Sequence, residues 1–172
     1  DGIISGAQDA IGICVPGLCR HYYDNHFWPD KIETCEDENV LCWLENHICM
    51  IPMEPRRPGC SVVEGMDITK TKVETLAKAA DDCWYAIINT DLELFAKAYK
   101  DSFNAQVAMF PAMIQGCVQE YINKYSAMDD VLAWKMPGAG GGGYLACVVK
   151  DTDAFCEKHN EAIKLKIRRS GF

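Results

Sequence analysis

Hydrophobic and polar positions along the chain change rhythm three times. Residues 12–24 carry apolar positions interrupted at Pro16-Gly17, which predicts two short strands. Residues 25–30 form a turn in which Phe27 and Trp28 are expected to pack into the core, lining a ligand pocket being the other reading. Residues 46–53 alternate weakly and predict a strand, followed by a Pro-rich turn over 52–59. From there the period lengthens. Thr71-x-x-Glu74 reads as a capping box, and Val73, Leu76, Ala77, Ala80, Trp84, Ile87 and Ile88 recur at helical spacing as a core stripe. Asp91 is placed to cap a second helix bearing Leu92, Phe95, Ala98, Tyr99 and Phe103. Pro111 suits the first turn of a third, with Ile114, Val118, Tyr121, Ile122 and Tyr125 on one face. Two strand-like runs come next, at 131–134 and 144–149. Asp151 or Asp153 then caps a fourth helix through Phe155, His159, Ala162 and Ile163. Lys164, Lys166, Arg168 and Arg169 read as its solvated end. Strands, helices, a hairpin and a helix in this order predict an α+β fold.

The tip of that hairpin is unusual. Gly138, Gly140, Gly141, Gly142 and Gly143 crowd around Ala139 between the two strand-like runs. Such a run is costly to order and persists where backbone turns sharply or approaches something closely. Its bare N–H groups suit an anion, most often phosphate; a plain flexible tip is the other reading. The segment satisfies G-x-G-x-x-G, but a strand follows it, whereas a dinucleotide fingerprint needs a helix there. A P-loop needs Gly-Lys before Ser or Thr, and Gly143 precedes Tyr144. Protein-kinase motifs would lie further downstream than the chain extends.

Charge and cysteine content narrow the partners. The net charge of −8 argues against nucleic acid. An anionic small molecule would need a local basic pocket. The neighbouring Arg56 and Arg57 are the basic pair in question: a solvated turn is their first reading, and a clamp on an anionic group, since Arg forks suit phosphate, is the other. Ten cysteines occur without a C-x-x-C pair. Cys14, Cys42, Cys49, Cys83, Cys117 and Cys147 sit in apolar runs and are expected to be buried, reduced thiols of a cytoplasmic protein. His21, His26, His47 and His159 show no metal-ligand spacing, so no metal site is expected. No signal peptide or membrane span is expected either.

Lys135-x-Pro137-Gly138-Ala139-Gly140-Gly141-Gly142-Gly143-Tyr144 resembles the third motif of the GHMP small-molecule kinases. The form is most similar to the sugar branch, the heptose-phosphate kinases, fucokinases and galactokinase, which usually carry Ser or Thr at the place of Pro137. Gly6-x-Gln8-Asp9 resembles a second segment of that branch, with Ala10 where Gln is usual. The resemblance implies that Asp9 is the catalytic base. It also implies that Lys135 and the loop Gly138, Ala139, Gly140, Gly141, Gly142, Gly143 contact phosphate or substrate. An Arg-containing segment after the strand that opens the second domain is also common there, as at Arg56 and Arg57. The chemistry is coherent: phosphoryl transfer asks the protein to position groups and stabilise charge, a carboxylate can take the hydroxyl proton, and N–H groups with a lysine can hold phosphoryl oxygens.

By this resemblance residues 1–45 end an N-terminal kinase domain and 46–172 form a GHMP C-terminal domain, an antiparallel sheet covered by helices. The expected activity is ATP-dependent, Mg2+-requiring transfer of the γ-phosphoryl group to a hydroxyl of a sugar or sugar phosphate. The family's Gly-Ser-rich nucleotide motif is not found before Asp9. The chain starts at Asp1 and reads as a piece of a longer protein, so residues 1–172 alone are expected to be inactive. Two other readings stand beside this one: a non-catalytic module that holds a sugar phosphate or a protein, and a structural subunit whose glycine tip is only a turn.

Overall fold

The computed structural model describes residues 7–56, 58–59 and 61–171. Helix α1 (Ala7–Cys14) leads into a hairpin of β1 (Leu18–Tyr22) and β2 (Lys31–Cys35), then α2 (Glu38–His47) and β3 (Ile48–Pro52). Two long helices follow, α3 (Lys70–Ile88) and α4 (Leu92–Met109). A 3-10 turn (Pro111–Ile114), α5 (Val118–Ser126), β4 (Val131–Lys135), β5 (Tyr144–Val149), α6 (Thr152–Lys158) and the short β6 (Ile163–Lys164) complete the chain. The fold is α+β, with antiparallel sheets covered by helices. The main sheet has the order β4-β5-β3-β6, and every pairing in it is antiparallel.

Both faces of this sheet are buried. Leu145, Cys147 and Val149 of β5, with Cys49 and Ile51 of β3, pack toward α5 and Phe155 of α6. Val148 faces the other way, onto Ala86 and Ile87 of α3, Phe95 and Ala96 of α4, and Val40 and Leu44 of α2. A register shift in β4 between Val131 and Ala133 puts these two residues on opposite layers, since a bulge reverses the alternation of side chains. Val131 joins the α5 layer and Ala133 the α4 layer. Lys135, two residues beyond Ala133, shares its side and is directed at α4.

The long elements lie where the periodicity predicts them, and several short ones differ. Residues 7–14 are helical: Ala7 and Ile11, one turn apart, are the buried positions. Pro16 then disfavours helical backbone at Val15 and ends the turn. The strand β2 and helix α2 were not legible in the pattern, although Asp37 caps α2 by accepting from Asn39 N at 2.8 Å. The cap of α3 is Thr69, two residues before the expected box. The third predicted helix is two elements, because Gly116 at φ +67° breaks it. Asp151 caps α6, which ends at Lys158, so Ile163 lies on β6 instead. Phe27 and Trp28 are exposed, not core.

The C-terminal segment is a strap, not a solvated helix end. Glu45, buried on α2, accepts from Ile167 N at 2.7 Å, from Lys166 Nζ at 2.8 Å and from Arg169 Nη1. Arg169 also forks onto Glu38 at 2.8 and 3.0 Å, and the Arg168 carbonyl accepts from Gly17 N at 2.8 Å. Gly17 has φ +75°, and a Cβ there would stand 2.4 Å from the Cys35 carbonyl oxygen. Only glycine therefore lets the turn before β1 lie against the end of β2.

Among the described residues no cysteine is in a disulfide. Cys49 and Cys147 are buried as expected, whereas Cys14 and Cys42 are exposed and Cys83 and Cys117 half-buried. Cys60 lies outside the described residues. Burial pushes the Cys49 thiol up to about 12 and that of Cys83 to about 11, which makes both poor nucleophiles at neutral pH.

Candidate functional site

A cleft of about 1180 Å³ opens between the N-terminal elements and the α3–α4 hairpin. One wall is α1 and β1, with Gln8, Asp9, Gly12 and Ile13 from the helix and residues 18–21 from the strand. The facing wall is α3, through Leu76, Ala80, Cys83, Trp84 and Ile87, and α4, through Tyr99, Ser102 and Gln106. Lys135, Pro137 and Gly138 close one end. Asp9 and the start of the glycine loop, far apart in sequence, thus line one cavity. Asp9 lies in the first turn of α1 and is exposed, and its carboxylate makes no hydrogen bond or ion pair among the described residues. Gly6, from the same segment, lies outside them.

The α3 stripe does two jobs. Ala79, Ala86 and Ile87 are buried. Leu76 and Trp84 are half-buried on the cleft, and Val73 is 47% exposed. Part of the apolar face expected in the core is therefore cavity wall.

Lys135 is held by its strand. Its Nζ donates to Ser102 Oγ at 2.6 Å, and Ser102 is itself buried on α4. No carboxylate pairs with Lys135 among the described residues. Burial holds its ammonium below the ordinary lysine range, with partial compensation from Cys83. A desolvated cation with only a neutral partner is an attractive site for an anion.

The glycine loop is braced from behind. Arg56 Nε and Nη2 both donate to the Gly140 carbonyl, at 3.0 and 2.8 Å. Gly141 N donates to Met113 O at 2.8 Å, and Gly143 N to Glu54 O at 2.9 Å. All five loop glycines have φ between +68° and +147°. A Cβ on Gly140 would lie 2.9 Å from Met113 O, and one on Gly142 2.6 Å from Glu54 O. Those two glycines are required by close backbone packing as well as by φ. Among the described residues the N–H groups of Gly138, Ala139, Gly140 and Gly142 donate to no acceptor. The loop therefore has a back, tied to residues 54–56 and 113, and a leading edge whose Gly138 faces the cleft. Arg57 lies outside the described residues.

Four polar groups of the cleft carried no sequence motif: Arg20, His21, Ser102 and Gln106. Arg20 ion-pairs with Asp81 and lies 3.9 Å from Glu33, with its guanidinium 4.6 Å from the Tyr22 ring centroid. Gln106 Nε2 approaches Gly138 O at 3.5 Å, while its Oε1 is buried without a partner. The same is true of His21 Nε2. A signal for the α4 pair does exist. Phe95, Tyr99, Ser102 and Gln106 recur at helical spacing, so two polar side chains continue an apolar stripe.

Among the described residues no group of three or more His, Cys, Asp or Glu side chains is placed to hold a metal ion. No described helix is long and apolar enough to cross a membrane.

No family model matches the chain, and none of the curated proteins does. Among solved structures it is similar to a "putative sugar kinase" from Campylobacter jejuni, with a TM-score of 0.61 and 16% identity over 97% of this chain and 51% of that one. A second structure, "MDDEF in complex with MVAPP", gives a TM-score of 0.47 and 14% identity over 81% of this chain and 49% of that one. The chain spans about half the length of either. At such identity the first likeness shows the fold alone: nearly the whole of this chain is built like half of a protein described as a sugar kinase.

Proposed function

We propose that the chain is the C-terminal part of an ATP-dependent sugar or sugar-phosphate kinase of the GHMP type, with Asp9 as general base and Lys135 with the leading edge of the glycine loop as the anion-holding group. One observation carries this reading: Asp9, Lys135 and Gly138 line a single cleft. A sugar in that cleft would lie between a carboxylate and a cation that, among the described residues, have no oppositely charged partner. Asp9 would draw the proton from the attacking hydroxyl. The open N–H groups at 138–140 and Lys135 would take charge on the transferring phosphoryl oxygens. ATP with Mg2+ would supply the phosphoryl group and neutralise its charge, ADP being the leaving group, and the nucleotide would be held largely by residues of the parent protein outside this chain. Residues 1–172 alone would then show no transfer.

The test is phosphoryl transfer from ATP to a panel of sugars and sugar phosphates by the whole protein, with Asp9→Asn alongside. Asp9→Asn keeps size and polarity and removes the base, so kcat should fall roughly 10²–10⁴-fold with substrate affinity little changed. Wild-type kcat in folded Asp9→Asn would remove the base assignment. No transfer to any of the panel by the folded wild type would instead favour the non-catalytic binding-module reading.

A further inference from the structure

Among the described residues, two buried polar atoms of cleft-lining residues have no partner. They are Gln106 Oε1 on α4 and His21 Nε2 on β1, the opposite wall. A buried acceptor or donor left unpaired costs about 1–3 kcal/mol, and in a folded protein such an orphan needs a reason. The other end of the Gln106 amide makes only a long contact with Gly138 O, at 3.5 Å. The His21 ring meets Tyr23 edge-on at 6.3 Å. Both lie beside hydrophobic wall, Trp84 from α3 and Leu18 from β1. An apolar surface with a few convergent hydrogen-bonding groups is the usual make-up of a small-molecule site.

We propose that Gln106 and His21 are the specificity-determining residues of the cleft, pairing with hydroxyl groups of a bound sugar through Gln106 Oε1 and His21 Nε2. This rests on the kinase reading for the ligand's class, and assigns which groups of the protein read it. Gln106 adjoins Gly138, so the hydroxyl it reads lies toward the glycine loop. His21 reads one toward the N-terminal wall. A site with orphaned polar atoms rejects an analogue lacking the matching hydroxyl, because that analogue leaves the atom unpaired.

The experiment measures direct binding to the whole protein, without ATP, by calorimetry. The probes are D-glucose, D-galactose, D-mannose and L-fucose, then the monodeoxy analogues of whichever binds tightest. Gln106→Met and His21→Phe are compared with wild type, and thermal unfolding is followed for each. The expected result is at least tenfold weaker binding in each variant, with Tm unchanged or raised because an orphaned atom has been removed. One deoxy analogue should bind wild type at least tenfold more weakly yet bind Gln106→Met no worse than its parent sugar does. Binding within threefold of wild type in both variants overturns the proposal, as does failure of all four sugars to bind wild type. Should a variant not fold, the deoxy series on wild type decides: uniform affinity across it overturns the proposal. The two readings fail separately. A wild type that binds sugar but transfers no phosphoryl group leaves the proposal standing and sinks the kinase reading. Active transfer with unaltered affinity in both variants does the reverse.

Discussion

Arg56 turns its guanidinium onto the Gly140 carbonyl oxygen, donating from both Nε and Nη2. A fork that on sequence grounds could clamp a phosphate is aimed at the protein's own main chain. Arg56 lies two residues after Glu54, whose carbonyl holds Gly143 N, so one short segment after β3 fixes both halves of the loop. Arg56→Met should therefore cost about 1 kcal/mol, the net worth of a partly exposed charged hydrogen bond. Urea denaturation should show this as a lower midpoint at unchanged slope. A stability equal to wild type would mean that the brace contributes nothing.

The glycines divide into two kinds, and alanine substitution separates them. At Gly140 and Gly142 an added Cβ meets backbone atoms at 2.9 and 2.6 Å, on top of a positive φ. At Gly138 nothing lies within 4 Å, and only the φ of +68° resists a side chain. Gly138→Ala should cost about 1–2 kcal/mol, the penalty of a left-handed residue. Gly142→Ala should cost more, since Glu54 O or the loop must move as well. Equal losses at both positions, read by the same urea titration, would contradict the packing argument.

Legibility in the sequence followed the length of the element. Helices α3 and α4 were plain because their apolar positions repeat over several turns, and β4 and β5 because β-branched runs flank the glycines. The first elements were obscured by length. Ile11, Ile13 and Val15 alternate like a strand, while the two residues that set α1, Ala7 and Ile11, make only one helical repeat. For α2 the Asp37 cap and the buried Val40 and Leu44 were present but sit among acids that mask the stripe. Asp9 and the glycine loop stood out because motif chemistry is written in residue types. Ser102, Gln106 and His21 did not, because nothing in a periodicity says that one face of α4 opens on a cavity instead of a core. Trp84 shows the same limit from the other side: an apolar stripe looks alike whether it covers a sheet or lines a cleft.

The C-terminal strap should detach in acid. Burial of Glu45 raises its carboxyl pKa, but Arg169, Lys166 and the Ile167 amide outweigh this and hold it below the ordinary range. Arg169 and then Cys42 draw Glu38 down to about 2. Folded-state pKa values below the unfolded ones mean that this stabilisation is complete above about pH 4.5 and is lost as pH falls toward about 2. Hydrogen exchange at the Ile167 amide, whose acceptor is Glu45 Oε1, should lose its protection across that window. Glu45→Gln keeps the shape but removes the charge, so its Ile167 protection should be weaker at pH 7 and nearly flat with pH. Protection in wild type that does not change between pH 5 and pH 2 would show that the strap is held by something else.

Lys135 is expected to weaken the fold that carries it. Its ammonium is desolvated between β4 and α4 and, among the described residues, is satisfied only by the Ser102 hydroxyl. Burial lowers its pKa, which means that the folded state binds its proton less well than the unfolded chain does. The sign follows: the cost is fully present below the folded pKa and is relieved as pH rises through it toward 10.5, the ordinary lysine value. Lys135→Met fills the same space without charge and should raise stability by about 1 kcal/mol at pH 7. The gain should shrink as pH climbs toward 10.5, because the wild type then sheds the same penalty. If the charge is kept for an anion, the variant must also lose something. Inorganic phosphate or sulfate should raise the Tm of wild type in proportion to the logarithm of its concentration, and should leave Lys135→Met unmoved. Lys135→Arg restores the charge but not the compact ammonium, so it should recover part of the anion response while disturbing the contact with Ser102. A Lys135→Met protein that is less stable than wild type at pH 7 would mean that the Ser102 bond outweighs the desolvation. An undiminished anion response would mean that the anion is held elsewhere on the chain.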